Sequence, residues 1–190
     1  MNGSFRDVSD APKMSLADAP LAKECDPSRV TQMTAFFEKS LVVVCENFKN
    51  CPCENGEWTG ERGDSKWKPD PDYIPQKQNP DGLTWKEILK KYNIDGIKFK
   101  DGEPDFSEIS KGTVQIEPFS TERTDNFDKA DIALAKQRGC SPEEVRKWRK
   151  ENGYTWHECK DMKTMQKVPS VVHNNVSHSG GISEAKKAGG

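Results

Sequence analysis

Apolar positions are sparse along this chain and fall into short periodic runs separated by proline and glycine. After Asp26-Pro27, the residues Val30, Met33, Phe36, Phe37, Leu41 and Val44 recur near helical spacing. An aspartate cap followed by proline at the first helical position starts such a run, so one amphipathic helix is predicted over 27–47. The preceding residues 1–25 mix Gly, Ser, Asp, Ala and Pro without period and read as a linker. Residues 50–83 carry Pro52, Pro69, Pro71, Pro75 and Pro80, which predicts an irregular segment pinned by Trp58 and Trp67. Thr84 to Tyr92 reads as a short helix, and Gly96-Ile97-Lys98-Phe99 as a strand entering an Asp101-Gly102 turn.

The second half is better marked. Phe127 to Arg138 places Ile132, Leu134 and Ala135 on a helical pattern that Gly139 can end. Ser141-Pro142-Glu143-Glu144 then combines a capping serine, proline at the first helical position and glutamate at the third, with Gly153 closing the helix. Next, Thr155 to Cys159 suits a strand, Asp161-Met162-Lys163 a turn, Thr164 to Val168 a returning strand, and Pro169 to Val176 a short helix. Trp156 reads as a core anchor under this hairpin. The pattern predicts an α+β chain with a domain boundary near residue 95.

Composition sharpens this reading. Of 190 residues, 33% are hydrophobic and 32% charged, against about 45–50% (counting glycine) and about 25% for ordinary globular chains. A small core with much solvated chain follows. Lys and Arg total 29 against 31 Asp and Glu, which gives no global nucleic-acid signature. Residues 141–190, however, hold nine basic against six acidic residues. The longest apolar run, Leu41 to Val44, is far below a bilayer span, and no membrane-spanning segment or signal peptide is expected. Of the six cysteines, Cys25, Cys45, Cys51, Cys53, Cys140 and Cys159, none forms a CxxC pair, so their redox state stays open.

The chain has only three histidines, His157, His173 and His178, all within 22 residues of one another. Neutral imidazole binds borderline divalent ions, and three such ligands leave a position for water or phosphate. His173 and His178 are five apart, roughly 140° around a helix, so His178 must lie beyond the helix end and fold back.

The run Tyr154-Thr155-Trp156-His157, the returning Thr164-Met165-Gln166-Lys167-Val168-Pro169, then His173, His178, Gly180 and Gly181 resembles the HNH and endonuclease VII nucleases. The resemblance is to the branch of bacterial polymorphic toxins named for a Trp-His-His motif. It is strongest over 153–187 and extends weakly back to Gly96. It implies a ββα-metal (His-Me finger) unit over 154–181 inside a nuclease toxin domain over 96–190. Residues 1–95 would then be a linker and helical remnant of a pretoxin or delivery module. It further implies one divalent ion (zinc, magnesium, manganese or nickel), a DNA substrate, and delivery as a secreted effector into a target-cell cytoplasm, with a cognate immunity protein as partner. Two positions depart from the pattern: Thr164 stands where many members have the asparagine of the HNH name, and Glu158 stands at the second histidine.

The preferred assignment makes His157, His173 and His178 the metal ligands and Glu158 the general base. The rival makes His157 the base and Glu158 a ligand, and both stay open at this stage. Lys160, Lys163 and Lys167 are the nearest candidates to hold substrate phosphates, although lysine also blunts exposed strand edges. Cys159 reads as a small buried residue. A ribonuclease with the same site, or a non-catalytic module stabilised by zinc, are the alternatives. Structural zinc sites usually have four protein ligands and favour cysteine, which weighs against the latter.

Overall fold

The computed structural model describes residues 48–189, so the expected linker over 1–25, the helix over 27–47, Cys25 and Cys45 lie outside the described residues. The described part is mixed α+β, as the sequence pattern predicts. Its elements are β1 (Gly56–Trp58), β2 (Lys66–Pro69), α1 (Trp85–Tyr92), β3 (Ile97–Lys100), β4 (Glu103–Asp105), β5 (Thr113–Gln115), α2 (Arg123–Arg138), α3 (Pro142–Glu151), β6 (Tyr154–Glu158), β7 (Thr164–Pro169), α4 (Ser170–His173) and α5 (Gly181–Ala188). Among the described residues, no helix is long and apolar enough to cross a membrane.

Local chemistry accounts for the best-formed boundaries. Both Thr84 and Ser141 accept a hydrogen bond from the third helical N–H, while Glu87 and Glu144 reach back to the cap, so α1 and α3 each begin with a complete capping box. Asp101 and Gly102, with φ of 50° and 72°, form the two-residue turn between β3 and β4. Positive φ at both turn residues matches the twist of the strands they join.

Two antiparallel sheets result, one in the order β1-β2-β3-β4 and one in the order β5-β7-β6. The segment expected to be irregular therefore contains two strands. Its prolines are compatible with them because Pro52, Pro71, Pro75 and Pro80 lie outside the two strands and Pro69 falls at the end of β2, opposite Gly56. Helix α2 begins at Arg123, four residues ahead of the expected Phe127, and α5 was not anticipated. The expected boundary near 95 falls between β2 and β3, which pair Trp67 with Ile97. Residues on both sides of it, including Trp67, Trp85, Ile97, Phe99, Phe106, Val168 and Val172, bury together in one apolar cluster.

The β6–β7 hairpin lies between that cluster and a second one built by Val114, Leu134, Val145, Trp156 and Met165. Successive side chains of a strand take opposite faces. Trp156, Met165 and Lys167 accordingly meet α2 and α3, while His157 and Val168 meet the core beneath the first sheet. Under Trp156, Asp131 accepts from its Nε1 at 2.8 Å and from Arg149 Nη2 at 2.9 Å. Pairing of this kind satisfies a buried carboxylate that would otherwise be costly.

Candidate metal centre

His157 is delivered by the centre of the hairpin, paired across to Gln166, and is fully buried. His173 is the last residue of α4, a helix of four residues that is shorter than the expected Pro169–Val176. Ser170 N–H donates to Gly153 O at 2.8 Å, which ties the start of α4 to the entry of β6. His178 lies past the helix and folds back, as its spacing requires. Its return depends on close packing of Gly180 and Gly181 against the end of β6. A Cβ on Gly180 would stand 2.7 Å from Glu158 O, and one on Gly181 would stand 2.5 Å from Cys159 O. Any side chain there would push the segment carrying His178 away from the strand.

The three imidazoles form a nearly equilateral triangle, with ring centroids 5.3 Å apart for His157–His173, 4.9 Å for His157–His178 and 5.0 Å for His173–His178. Phe106, also fully buried, lies 5.0 Å from the His157 ring and 5.9 Å from each of the other two, forming a floor beneath them. One ring nitrogen from each histidine falls within 4.8 Å of the others. His178 Nδ1 lies 2.7 Å from Val176 O and His173 Nδ1 lies 3.2 Å from Asn174 Oδ1, which leaves Nε2 of each as the ligating atom. Both ring nitrogens of His157 are buried with no hydrogen-bond partner. An orphaned imidazole is unfavourable in a dry core, and a cation held between the three rings would satisfy the lone-pair nitrogen. The residues present therefore fit a divalent ion.

Electrostatics point the same way. Burial, then the neighbouring imidazoles, hold His157 well below the usual histidine range, and burial with His178 beside it brings His173 to about 4. Burial also lowers His178. All three are thus neutral near pH 7, the state in which imidazole ligates.

Glu158 stands on the opposite face of β6 from His157 and is 4% exposed. Its Oε1 accepts from Asn126 Nδ2 at 3.0 Å and its Oε2 from Arg123 Nε at 3.0 Å. Burial pushes its carboxyl upward against the pull of those two partners. These contacts describe an anchor for Arg123 and do not place the carboxylate among the three histidines. Arg123 is 61% exposed, and its charge acts on all three imidazoles.

The three lysines separate. Lys160 adjoins the centre: its charge reaches His178, and its ammonium donates to Asp101 O. Lys163 pairs with Glu117 at 2.8 Å. Lys167 is 1% exposed on the helix-facing side of β7, its ammonium 4.2 Å from the Trp148 ring centre, so it is not brought to the histidines. Burial lowers Lys167 to about 8. Thr164 closes the hairpin turn, its N–H donating to Asp161 Oδ1 at 2.8 Å and its hydroxyl to Oδ2 at 2.5 Å. Burial raises the Cys159 thiol to about 12, which keeps it protonated.

Sequence reasoning missed Phe106, Arg123, Asn126 and Glu103. The first three carry no local motif, and only the Asp101-Gly102 turn marks the neighbourhood of Glu103. Glu103 Oε1 lies 3.9 Å from His157 Nε2.

Among curated proteins none matches the chain. Residues 96–180, slightly under half of the chain, match the family described as the DNase/tRNase domain of colicin-like bacteriocin. The matched span holds His157, His173, His178, Glu103, Arg123 and Glu158, and the match supports a nuclease toxin domain in this part of the chain.

Proposed function

We propose that the chain carries a metal-dependent endonuclease of the HNH type that hydrolyses phosphodiester bonds of DNA. The observation that carries this reading is the triangle of neutral imidazoles, with both nitrogens of His157 orphaned, inside the span that matches a nuclease family. His157, His173 and His178 would hold one divalent ion. When bound, such an ion polarises a phosphate oxygen and stabilises the leaving oxygen of the hydrolysed ester.

The chain's own residues supply orientation and counter-charge. Phe106 and the Gly180-Gly181 approach fix the positions of the imidazoles. Asn126 and Glu158 hold the Nε edge of Arg123, so its remaining guanidinium N–H groups are available to a substrate phosphate beside the ion. Lys160 adds a second positive charge at the same edge. The anchoring contacts of Glu158 favour a positioning role for it over that of general base.

The sequence resemblance supports the wider setting: the toxin portion of a secreted bacterial effector, restrained by a cognate immunity protein. Cleavage of plasmid DNA and of tRNA by the purified chain with Mg²⁺, Mn²⁺, Zn²⁺, Ni²⁺ or EDTA tests the reading. DNA cutting that EDTA abolishes and His173→Ala reduces by at least about 100-fold is expected, a loss equivalent to about 2.7 kcal/mol of barrier. Cleavage of tRNA alone would replace the substrate, since the matched family description names both activities. A folded protein that cuts neither nucleic acid with any of these ions would overturn the reading.

A further inference from the structure

We infer that a cavity beside the histidine centre takes one unpaired base of the DNA strand, so that a nucleotide next to the cut is held out of the double helix. This rests on the nuclease reading above. The cavity measures about 360 Å³, toward the small end of the roughly 300–1,000 Å³ of sites that hold small molecules. One wall comes from the segment between two of the histidines: Asn174 follows His173, with its Oδ1 3.2 Å from His173 Nδ1, and Ser177 precedes His178. A nucleotide whose neighbouring phosphate is held at the ion therefore lies next to this wall. A second wall is tied to the first, because Asn175 Oδ1 accepts from Lys77 N–H at 3.0 Å and Asn175 Nδ2 donates to Lys77 O at 2.6 Å. The loop carrying Tyr73, Gln76 and Lys77 thus keeps its place relative to the histidines.

The chemistry of the lining selects a base. Its buried part is aromatic: Trp67 and Trp85 are 2% and 1% exposed and stand perpendicular, ring centroids 5.8 Å apart. Trp67 Nε1 is buried with no hydrogen-bond partner. It lies beside Gly56, where a Cβ would stand 2.6 Å from it, next in sequence to the lining residue Asn55. A buried indole N–H requires an acceptor, and base edges carry carbonyl and ring-nitrogen acceptors. At the exposed rim, Tyr73 offers a ring for stacking, while Gln76 and Glu54 offer polar groups to a base edge. The lining holds one lysine, Lys77, and one glutamate, Glu54, so it lacks the positive excess that a phosphate needs. A neutral, planar group with an apolar face and a polar edge suits it instead. A base inside a duplex reaches such a site only by leaving its stack, so the chain should prefer a strand that is unpaired at the cut.

The test titrates the full chain, with Zn²⁺ present, into a short single-stranded DNA whose phosphorothioate linkages resist hydrolysis. One 2-aminopurine is moved through successive positions of the strand, and its fluorescence reports stacking. The expected result is a marked fluorescence change at one or two positions only. Tyr73→Ala should weaken strand binding by about 5- to 100-fold, the range for loss of one base–aromatic contact. Trp67→Phe, which keeps an aromatic wall and removes the N–H, should weaken it by about 3- to 10-fold. Both variants should retain the wild-type circular dichroism and Zn²⁺ affinity, which separates loss of the base site from misfolding. In parallel, an unmodified duplex with a single-base bulge should be cut at least about 10-fold faster beside the bulge than the fully paired duplex, because its base is already unpaired. A fluorescence change that both variants leave intact would overturn this cavity as the base site. DNA cutting with no 2-aminopurine response and equal rates on bulged and paired duplexes would overturn the inference and leave the nuclease reading standing. Absence of both strand binding and cutting would remove the two together.

Discussion

Two residues show how tightly the centre's surroundings are specified. Lys167 places an ammonium in a nearly closed site, where the Trp148 face partly compensates for lost hydration. Its lowered pKa, about 8, says that burial outweighs that compensation. Between about pH 8 and the ordinary lysine range near 10.4 the unfolded chain binds the additional proton, so stability should rise as pH increases through that window. Lys167→Met should therefore raise the melting temperature at pH 7, by the equivalent of about 1–3 kcal/mol. Thermal melts of the two proteins at pH 7 and pH 9.5 check this, and the difference between them should shrink at the higher pH. Gly180 presents the opposite case, a position where one methyl group is too many. Gly180→Ala would set a Cβ 2.7 Å from a backbone oxygen of Glu158. The segment bearing His178 should shift, and Zn²⁺ affinity should fall by at least about 10-fold with little change in overall helicity by circular dichroism. Equal affinity in the two proteins would show that the segment can yield.

At the scale of elements, the hairpin and short helix that carry the histidines should respond to pH as a group. All three imidazoles have folded-state values below the ordinary histidine value. The unfolded chain thus binds more protons as pH falls below about 6.5, and the folded state loses stability from there downward, continuing through about 4 for His173. Each histidine that must charge contributes a slope of at most about 1.4 kcal/mol per pH unit. The metal-free protein should melt progressively lower between pH 7 and pH 5, and His173→Ala should flatten that dependence. How much of these elements the sequence discloses follows from the range of the interactions that build them. Thr84–Glu87 and Ser141–Glu144 close their capping boxes within four residues, and both helices were legible. The β6–β7 hairpin joins neighbours in sequence and was legible also. β1, β4 and β5 have three residues each, too few for an alternation to register, and β2 and β4 contain a proline. The partners of β1, β2 and β4 are set by packing over Trp67, Trp85 and Phe99, and that of β5 by the burial of Val114 with Leu134 and Met165, which no local pattern encodes. The three histidines were identifiable because they are the chain's only ones. Arg123 and Glu103 reach the centre across 35 and 54 residues, to Glu158 and His157 respectively, and nothing near either in sequence announces it.

For the molecule as a whole, the question is whether the nuclease-like part can stand without the segment before it. The family match begins at residue 96, yet the strand that starts there, β3, is internal to its sheet, between β2 and β4. Removing residues 48–95 would strip β2 from β3 and leave an unpaired edge of backbone donors and acceptors. It would also withdraw Trp67, Trp85 and Ile88, all at most 2% exposed, from the cluster that contains Phe106, Val168 and Val172. Burying one large side chain contributes about 1.5–3 kcal/mol, so losing three such residues approaches the entire stability of an ordinary domain, about 5–15 kcal/mol. The floor of the histidine triangle belongs to this cluster, and the damage would extend to the metal centre. A fragment of residues 96–190 should therefore lack a cooperative thermal transition, bind a hydrophobic dye and show no tight Zn²⁺ binding. A fragment of residues 48–190 should melt cooperatively, with a midpoint that rises as Zn²⁺ is added, because an ion that binds only the folded state stabilises it by mass action. Cooperative melting and Zn²⁺ binding by the shorter fragment would instead show that the histidine unit folds independently of the first sheet's N-terminal strands.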